Sequence, residues 1–167
     1  WINEYTPFKK WIFNASTRLD GLKLSANDQF LDNGDQSGTQ QFVRFNPAVG
    51  MVYVAAPGLR LYTNLASNFE TPTLNELSAN PYGPGGFNPE LAPQQSLNYE
   101  LGIKGQPTAR LGLEVAVFQI RLRDELVPYQ LVAAPGRTFY RNAGASIRRG
   151  MESALNYRFS KGFSGTL

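Results

Sequence analysis

The sequence predicts an all-β protein, an antiparallel up-and-down meander that forms part of a large transmembrane β-barrel. Three observations carry that reading. Apolar residues recur with period two almost end to end, the alternating stretches are longer than ordinary strands, and the connections between them alternate in length.

The longest stretch is Thr138 to Phe159, over about twenty residues. Phe139, Ala143, Ala145, Ile147, Met151, Leu155, Tyr157 and Phe159 fall on one face; Asn142, Ser146, Arg148, Glu152, Asn156 and Arg158 fall on the other. Strands of globular proteins average about 5–6 residues, so a sandwich does not need such a length. In Ser96–Lys104, Leu97, Tyr99, Leu101 and Ile103 oppose Ser96, Asn98, Glu100 and Lys104. In Trp11–Leu19, Trp11, Phe13, Ala15 and Leu19 oppose Asn14, Ser16 and Arg18. Phe42–Val54 and Leu59–Phe69 alternate in the same way, less cleanly. Arg110–Arg123 begins with Leu111, Leu113, Val115 and Val117 on one face, then changes phase at Phe118, Ile120 and Leu122. That change predicts either a bulge or an exit from the apolar layer.

The connections are Asn27–Gln41, Ala55–Gly58, Glu70–Gln95, Gly105–Ala109, Asp124–Arg137 and Ser160–Gly165, alternately long and short. In an up-and-down sheet alternate connections share an end. All the long loops therefore gather at one rim, as they do on the extracellular side of outer-membrane barrels. About seven strands are expected, too few to close around so charged a face, so the sheet should stay open.

Composition narrows the chemistry. The chain of 167 residues has no cysteine and no histidine, which removes disulfides, thiolate metal sites, the commonest general base and the commonest metal ligand. A net charge of +3 is scattered and forms no stripe for nucleic acid. No signal peptide and no apolar run near the ~20 residues of a membrane helix is visible, which left a soluble all-β domain to be weighed against the pattern. Arg18, Asp20, Arg44, Arg60, Glu100, Lys104, Glu114, Arg148, Glu152 and Arg158 share the polar face with mixed signs, suited to a wet lumen. Arg149 falls on the apolar face and should lie where it can snorkel. Asp124 and Glu125 are chain neighbours and point apart. Asp32, Asn33, Gly34 and Asp35 lack the closing glutamate of a calcium loop. Gly83-Pro84-Gly85-Gly86 precedes no helix and offers no phosphate cradle. No catalytic residue, cofactor or protein-ligated metal is expected.

The specific signature begins at Phe69-Glu70-Thr71-Pro72-Thr73-Leu74-Asn75-Glu76-Leu77. It continues through Asn88-Pro89-Glu90-Leu91-Ala92-Pro93-Gln94 and Tyr99-Glu100-Leu101-Gly102-Ile103-Lys104. With Asp124-Glu125-Leu126-Val127, Tyr140-Arg141-Asn142-Ala143-Gly144 and Arg149-Gly150-Met151-Glu152, this order resembles the C-terminal half of TonB-dependent outer-membrane receptors from about Trp11 on. The family usually has Lys and Glu where this chain has Ala92 and Gln94, so a charge pair at the loop base is missing.

The resemblance implies a barrel of about 22 strands with a plugged lumen in the outer membrane of a Gram-negative bacterium. It also implies import of a ferric siderophore or similar metal chelate, energised by the TonB complex through a missing N-terminal region. Residues 1–167 would then be a partial barrel domain without plug, first strands or closing strand. Outer-membrane lipid and a small-molecule ligand are the expected partners. Uptake of a metal-free cofactor, vitamin or oligosaccharide, or a passive porin or adhesin-type barrel, are the alternatives. For ligand contact the long loops offer Asn80, Tyr82, Phe87, Tyr129, Arg137 and Tyr140, with Arg141 as a further cation for an anionic chelate.

Overall fold

The computed structural model describes residues 2–83, 85–160 and 162–166. The strands are β1 (Ile2–Phe8), β2 (Trp11–Ala26), β3 (Gly38–Ala56), β4 (Leu59–Glu70), β5 (Gln94–Thr108), β6 (Leu111–Arg123), β7 (Leu126–Tyr129), β8 (Phe139–Asn142), β9 (Ala145–Ser160) and β10 (Phe163–Thr166). Eight of them form one antiparallel sheet in the order β1-β2-β3-β4-β5-β6-β9-β10, and β7 pairs with β8 in a separate hairpin. The sheet is an open meander: β1 and β10 are its edges and do not pair with each other. Among the described residues no helix is long and apolar enough to cross a membrane.

The strands are long because they must do more than cross a bilayer. β2, β3, β5 and β9 have 16, 19, 15 and 16 residues, against roughly 9–11 for a tilted transmembrane strand. Side chains alternate across the sheet, and the register aligns them into rows. Phe13, Met51, Thr63, Leu101, Val117 and Met151 form one row, successive partners from β2 to β9. These outer positions stay uncovered: Val43, Phe45, Val49, Leu101, Val117, Ile147 and Met151 are all exposed. So large an apolar surface is a liability in water and the correct solvent match in lipid. From Val43 to Tyr53 on β3, ten residue steps at about 3.3 Å and a tilt near 40° give a height of about 25 Å, the apolar band of an outer-membrane barrel.

The inner face is polar and concave. Asn14, Arg60, Tyr62, Asn64, Glu100, Lys104 and Glu114 line an open basin of about 950 Å³. Lys104 Nζ and Glu114 Oε2, directly opposite across β5 and β6, lie 2.8 Å apart. Arg18 Nε donates to Asp20 Oδ2 at 2.8 Å, and Asn46 Nδ2 donates to the same oxygen at 2.7 Å. These exposed pairs contribute little stability each; they keep the face wet and neutralised.

Several sequence expectations need correction. Thr138–Phe159 is not one strand. It breaks at Ala143-Gly144, where Gly144 takes φ +79°, a conformation that side chains disfavour. Asp124–Arg137 is likewise not all loop, since β7 turns back to pair with β8, Tyr129 opposite Phe139 and Leu126 opposite Asn142. The turn expected over Ser160–Gly165 is tighter, because β10 starts at Phe163. β1 adds a strand before Trp11, and the loop at Asn27–Gln41 shrinks to 27–37.

The phase change in β6 involves no bulge. Its ladder to β5 runs unbroken from Leu113 to Arg123 and its ladder to β9 from Leu111 to Arg123, so the strand simply leaves the apolar layer. β2 does the same above Asp20: Leu22, Leu24 and Ala26 continue the inner face, and the ladder to β3 is continuous. The register shifts that do occur lie at Tyr5/Phe8, Val54/Ala56, Gly105/Thr108 and Phe163/Ser164, all beside the short turns.

Candidate functional site

The long connections, 27–37, 71–93 and 124–144, leave the sheet from one rim, and the short turns occupy the other. At the long-loop rim the inner face turns apolar and a small core forms on it. Phe42, Leu77, Phe87 and Leu91 are buried there, with Leu24, Ala26, Leu126 and Tyr140 packed against them. Two strands, one long loop and the β7–β8 hairpin are thus joined into a folded cap.

Local chemistry shapes the cap. Helix α1 (Leu74–Ser78) starts with a capping box: Thr73 Oγ1 accepts from Glu76 N–H, and Thr73 N–H donates to Glu76 Oε2 at 2.7 Å. The helix lowers Leu77 into the core, where it is fully buried. Pro72 and Pro93, at the two ends of the loop, are also fully buried. Asn142 Nδ2 donates to the carbonyls of Ala92 and Asp124 at 2.8 and 2.7 Å, while its Oδ1 accepts Ala92 N–H at 2.8 Å. Glu125 receives Arg148 Nη2 at 3.1 Å and ties the hairpin to β9. Gln94, where the family usually has a charge, donates to Glu70 Oε2 at 2.5 Å and keeps the loop base closed with a neutral partner.

The six residues singled out from sequence fall into two sets. Phe87 is 8% exposed, inside the cap core, with its ring against Gly38; Tyr140 packs on the same core. Asn80 is half-buried and folds the loop tip, donating to Gly85 O at 2.9 Å and accepting Tyr82 N–H at 3.0 Å. The other three reach solvent. Tyr82 is 64% exposed and its hydroxyl donates to Glu90. That hydrogen bond, aided by slight desolvation and the nearby charges of Glu90 and Tyr129, raises the phenol above its ordinary range. The Arg137 guanidinium lies 5.1 Å from the centroid of the Phe139 ring. Phe139 meets Tyr129 at 6.0 Å, and Arg141 covers Tyr129 at 5.3 Å. One face of the hairpin therefore stacks cation, ring, ring and cation, and neither arginine has a carboxylate partner among the described residues.

Two acids of the 27–37 loop, Asp28 and Asp35, are used internally. Asp28 accepts from Phe30 N–H and Gln36 N–H at 2.9 and 3.0 Å. Asp35 accepts from Ser37 N–H at 2.8 Å, and its bonds to Ser37 hold it below the usual carboxylate range.

Asn142, Leu77 and Leu91 were not singled out as single residues by sequence reasoning. They stand inside the motifs that carried the resemblance, which was the available signal.

A lipid-matched outer wall, a wet inner wall and folded caps on one rim define a segment of a large transmembrane β-barrel. Residues 2–167 match the family model described as TonB dependent receptor-like, beta-barrel. The chain belongs to that family, whose members reside in the outer membrane of Gram-negative bacteria and are transporters, not enzymes. Among curated proteins it is 25% identical over 144 residues to the metal-pseudopaline receptor CntO of Pseudomonas aeruginosa (strain UCBPP-PA14), covering 84% of this chain and 18% of that receptor. Among solved structures it resembles the copper transporter OprC with a TM-score of 0.75 at 15% identity, over 96% of this chain and 26% of that one. The ferric-catecholate import receptor Fiu from K12 E. coli gives 0.70 at 18% identity, over 95% and 25%. The ferric yersiniabactin uptake receptor FyuA from Yersinia pestis gives 0.67 at 20%, over 96% and 24%. The chain thus spans about a fifth to a quarter of the length of these relatives.

Proposed function

We propose that this segment works within a larger plugged barrel that binds and imports a ferric siderophore or similar metal chelate, energised through TonB. The carrying observation is the β7–β8 face, where Arg137 and Arg141 stack on Phe139 and Tyr129 without carboxylate partners. Unpaired cations held on rings suit an anionic, partly aromatic ligand, because cation–π contact fixes the guanidinium without neutralising it. With no histidine or cysteine in the chain, the metal would arrive wrapped in its organic shell and be recognised through that shell. Relatives named for metal-pseudopaline, ferric catecholate and ferric yersiniabactin support the class of ligand.

The test is growth of a strain lacking the receptor, with and without the full-length gene restored. Ferric catecholate, ferric yersiniabactin and metal-pseudopaline are supplied in turn as the metal source. Restored growth on one of them that also requires TonB supports the reading. Growth on none of them, with restored uptake of a metal-free cofactor, vitamin or oligosaccharide, replaces it. Uptake that persists without TonB points to a passive pore.

A further inference from the structure

The charges of the sheet are sorted by face. Every strand carboxylate, Glu4, Asp20, Glu70, Glu100, Glu114 and Glu152, stands at an inner-face register position. The outer face carries cations only. Three of them cluster: Arg121 and Arg123 end β6, and Arg149 lies on β9 opposite Gln119. All three are exposed, and none forms a salt bridge among the described residues.

Their height matters. On β6 the outer face reads Leu111, Leu113, Val115, Val117, then Gln119, Arg121, Arg123, so the apolar wall ends between Val117 and Gln119. The arginines stand just above that edge, at the rim from which the long loops leave. Two are already oriented: Arg121 lies 5.5 Å from the Tyr99 ring centroid, and Arg149 Nε donates to Gln119 Oε1 at 2.7 Å. Immediately beneath runs an outward-facing groove of about 410 Å³, whose walls include Tyr99, Leu101, Val117, Gln119 and Arg149. Like-charged residues diagonal across a ladder sit roughly 7–8 Å apart and repel unless an anion lies between them.

We propose that this patch binds a phosphorylated glycolipid of the outer leaflet, with its phosphate held by Arg121, Arg123 and Arg149 and an acyl chain laid in the groove below. Guanidinium groups bind phosphate through paired N–H donors, while the apolar groove matches hydrocarbon. The site concerns the barrel wall and is independent of which ligand the loops take up.

The full-length receptor, purified in detergent and freed of lipid, is titrated with doubly phosphorylated lipid A, with its dephosphorylated form and with inorganic phosphate. Binding is read by native mass spectrometry and by the thermal unfolding midpoint. Lipid A should bind and raise the midpoint, whereas the dephosphorylated glycolipid and inorganic phosphate should bind far more weakly. In the R121Q/R123Q/R149Q variant, shown to be folded by heat-modifiable gel mobility, affinity should fall on the order of 100-fold. The R121K/R123K/R149K variant should keep part of it. Equal binding of phosphorylated and dephosphorylated glycolipid by the wild-type receptor overturns the proposal, whatever the variants do. So does unchanged lipid A affinity in the glutamine variant, including the case where that variant alters only oligomeric state and the patch therefore meets protein.

Discussion

Asn142 holds Ala92 by both of its backbone groups, donating to the carbonyl at 2.8 Å and accepting the N–H at 2.8 Å. One side-chain amide thus does the work of an adjacent strand for a residue fifty positions away. It also donates to Asp124 O at 2.7 Å, so it joins the 71–93 loop to both ends of the hairpin. Asn142→Ala leaves three backbone groups without partners. At about 1 kcal/mol per lost hydrogen bond, the cap should loosen by roughly 2–3 kcal/mol. Hydrogen exchange at Ala92 should speed by about two orders of magnitude, and proteases should cut the loop, while the heat-modifiable mobility of the barrel stays unchanged. Wild-type exchange at Ala92 would show that the loop is held elsewhere.

The opposite rim is governed by close backbone approach. A Cβ on Gly105 would lie 1.9 Å from the Gly58 carbonyl oxygen, which already accepts Gln106 N–H at 2.7 Å. Neither partner is a flexible side chain, so the backbone itself must move. Gly105→Ala should destabilise the folded barrel by about 1–3 kcal/mol. Gly21→Ala, with open space around its Cβ position, should be neutral to mildly stabilising. Urea unfolding in detergent micelles distinguishes the two, and equal midpoints would refute the assignment.

The Tyr82–Glu90 contact makes a pH prediction. Its phenol is held above the ordinary value of about 10 by the hydrogen bond to Glu90. A raised folded value means that the contact's contribution is complete below the ordinary range and fades as pH rises through the raised one. The difference in tyrosinate absorbance between wild type and Tyr82→Phe should therefore titrate above pH 10. Glu90→Gln should move that titration down. A titration at the ordinary position in the wild type would show that the contact does not persist in solution.

Much of this was legible before any coordinates. Strand faces, the alternation of loops and the family signature all follow from period two and from motif order, because a sheet's pleat and a turn's length are local properties. What escaped was the third dimension at the loop rim. The switch from odd to even apolar positions at Phe118 admits a bulge or an exit from the apolar layer, and the ladders decide for the exit. The like switch at Leu22 lies beyond the stretch read as alternating, Trp11–Leu19. On β2 the reason is visible: below the switch the oily partner is lipid on the outside, and above it Leu24 and Ala26 pack against the cap on the inside. The same cause explains Phe87. An aromatic in a polar loop reads as a ligand contact until a core such as Phe42, Leu77 and Leu91 is found beside it. Thr138–Phe159 ran through its break because Phe139 feeds that cap region while keeping the parity of β9.

The last prediction concerns the hairpin face. Arg137 and Arg141 bracket Phe139 and Tyr129, at 5.1 and 5.3 Å from the rings they cover. An anionic chelate meeting that face would gain from both charges, and the rings keep the guanidinium groups placed before it arrives. Losing one such contact typically costs about 1–2 kcal/mol, so Arg137→Gln and Arg141→Gln should each weaken chelate binding to whole cells roughly 5- to 30-fold. Because the two cations serve one anion, the double variant should lose less than the product of the single effects. Tyr129→Ala should cost a comparable amount. Phe87→Ala should act differently, lowering cap stability by about 3–5 kcal/mol through the cavity it leaves and reducing binding only as the loop frays. Surface expression normalises all of these measurements. If both arginine variants bind ferric catecholate, ferric yersiniabactin or metal-pseudopaline, whichever the wild type takes, with unaltered affinity, the ligand does not touch this face.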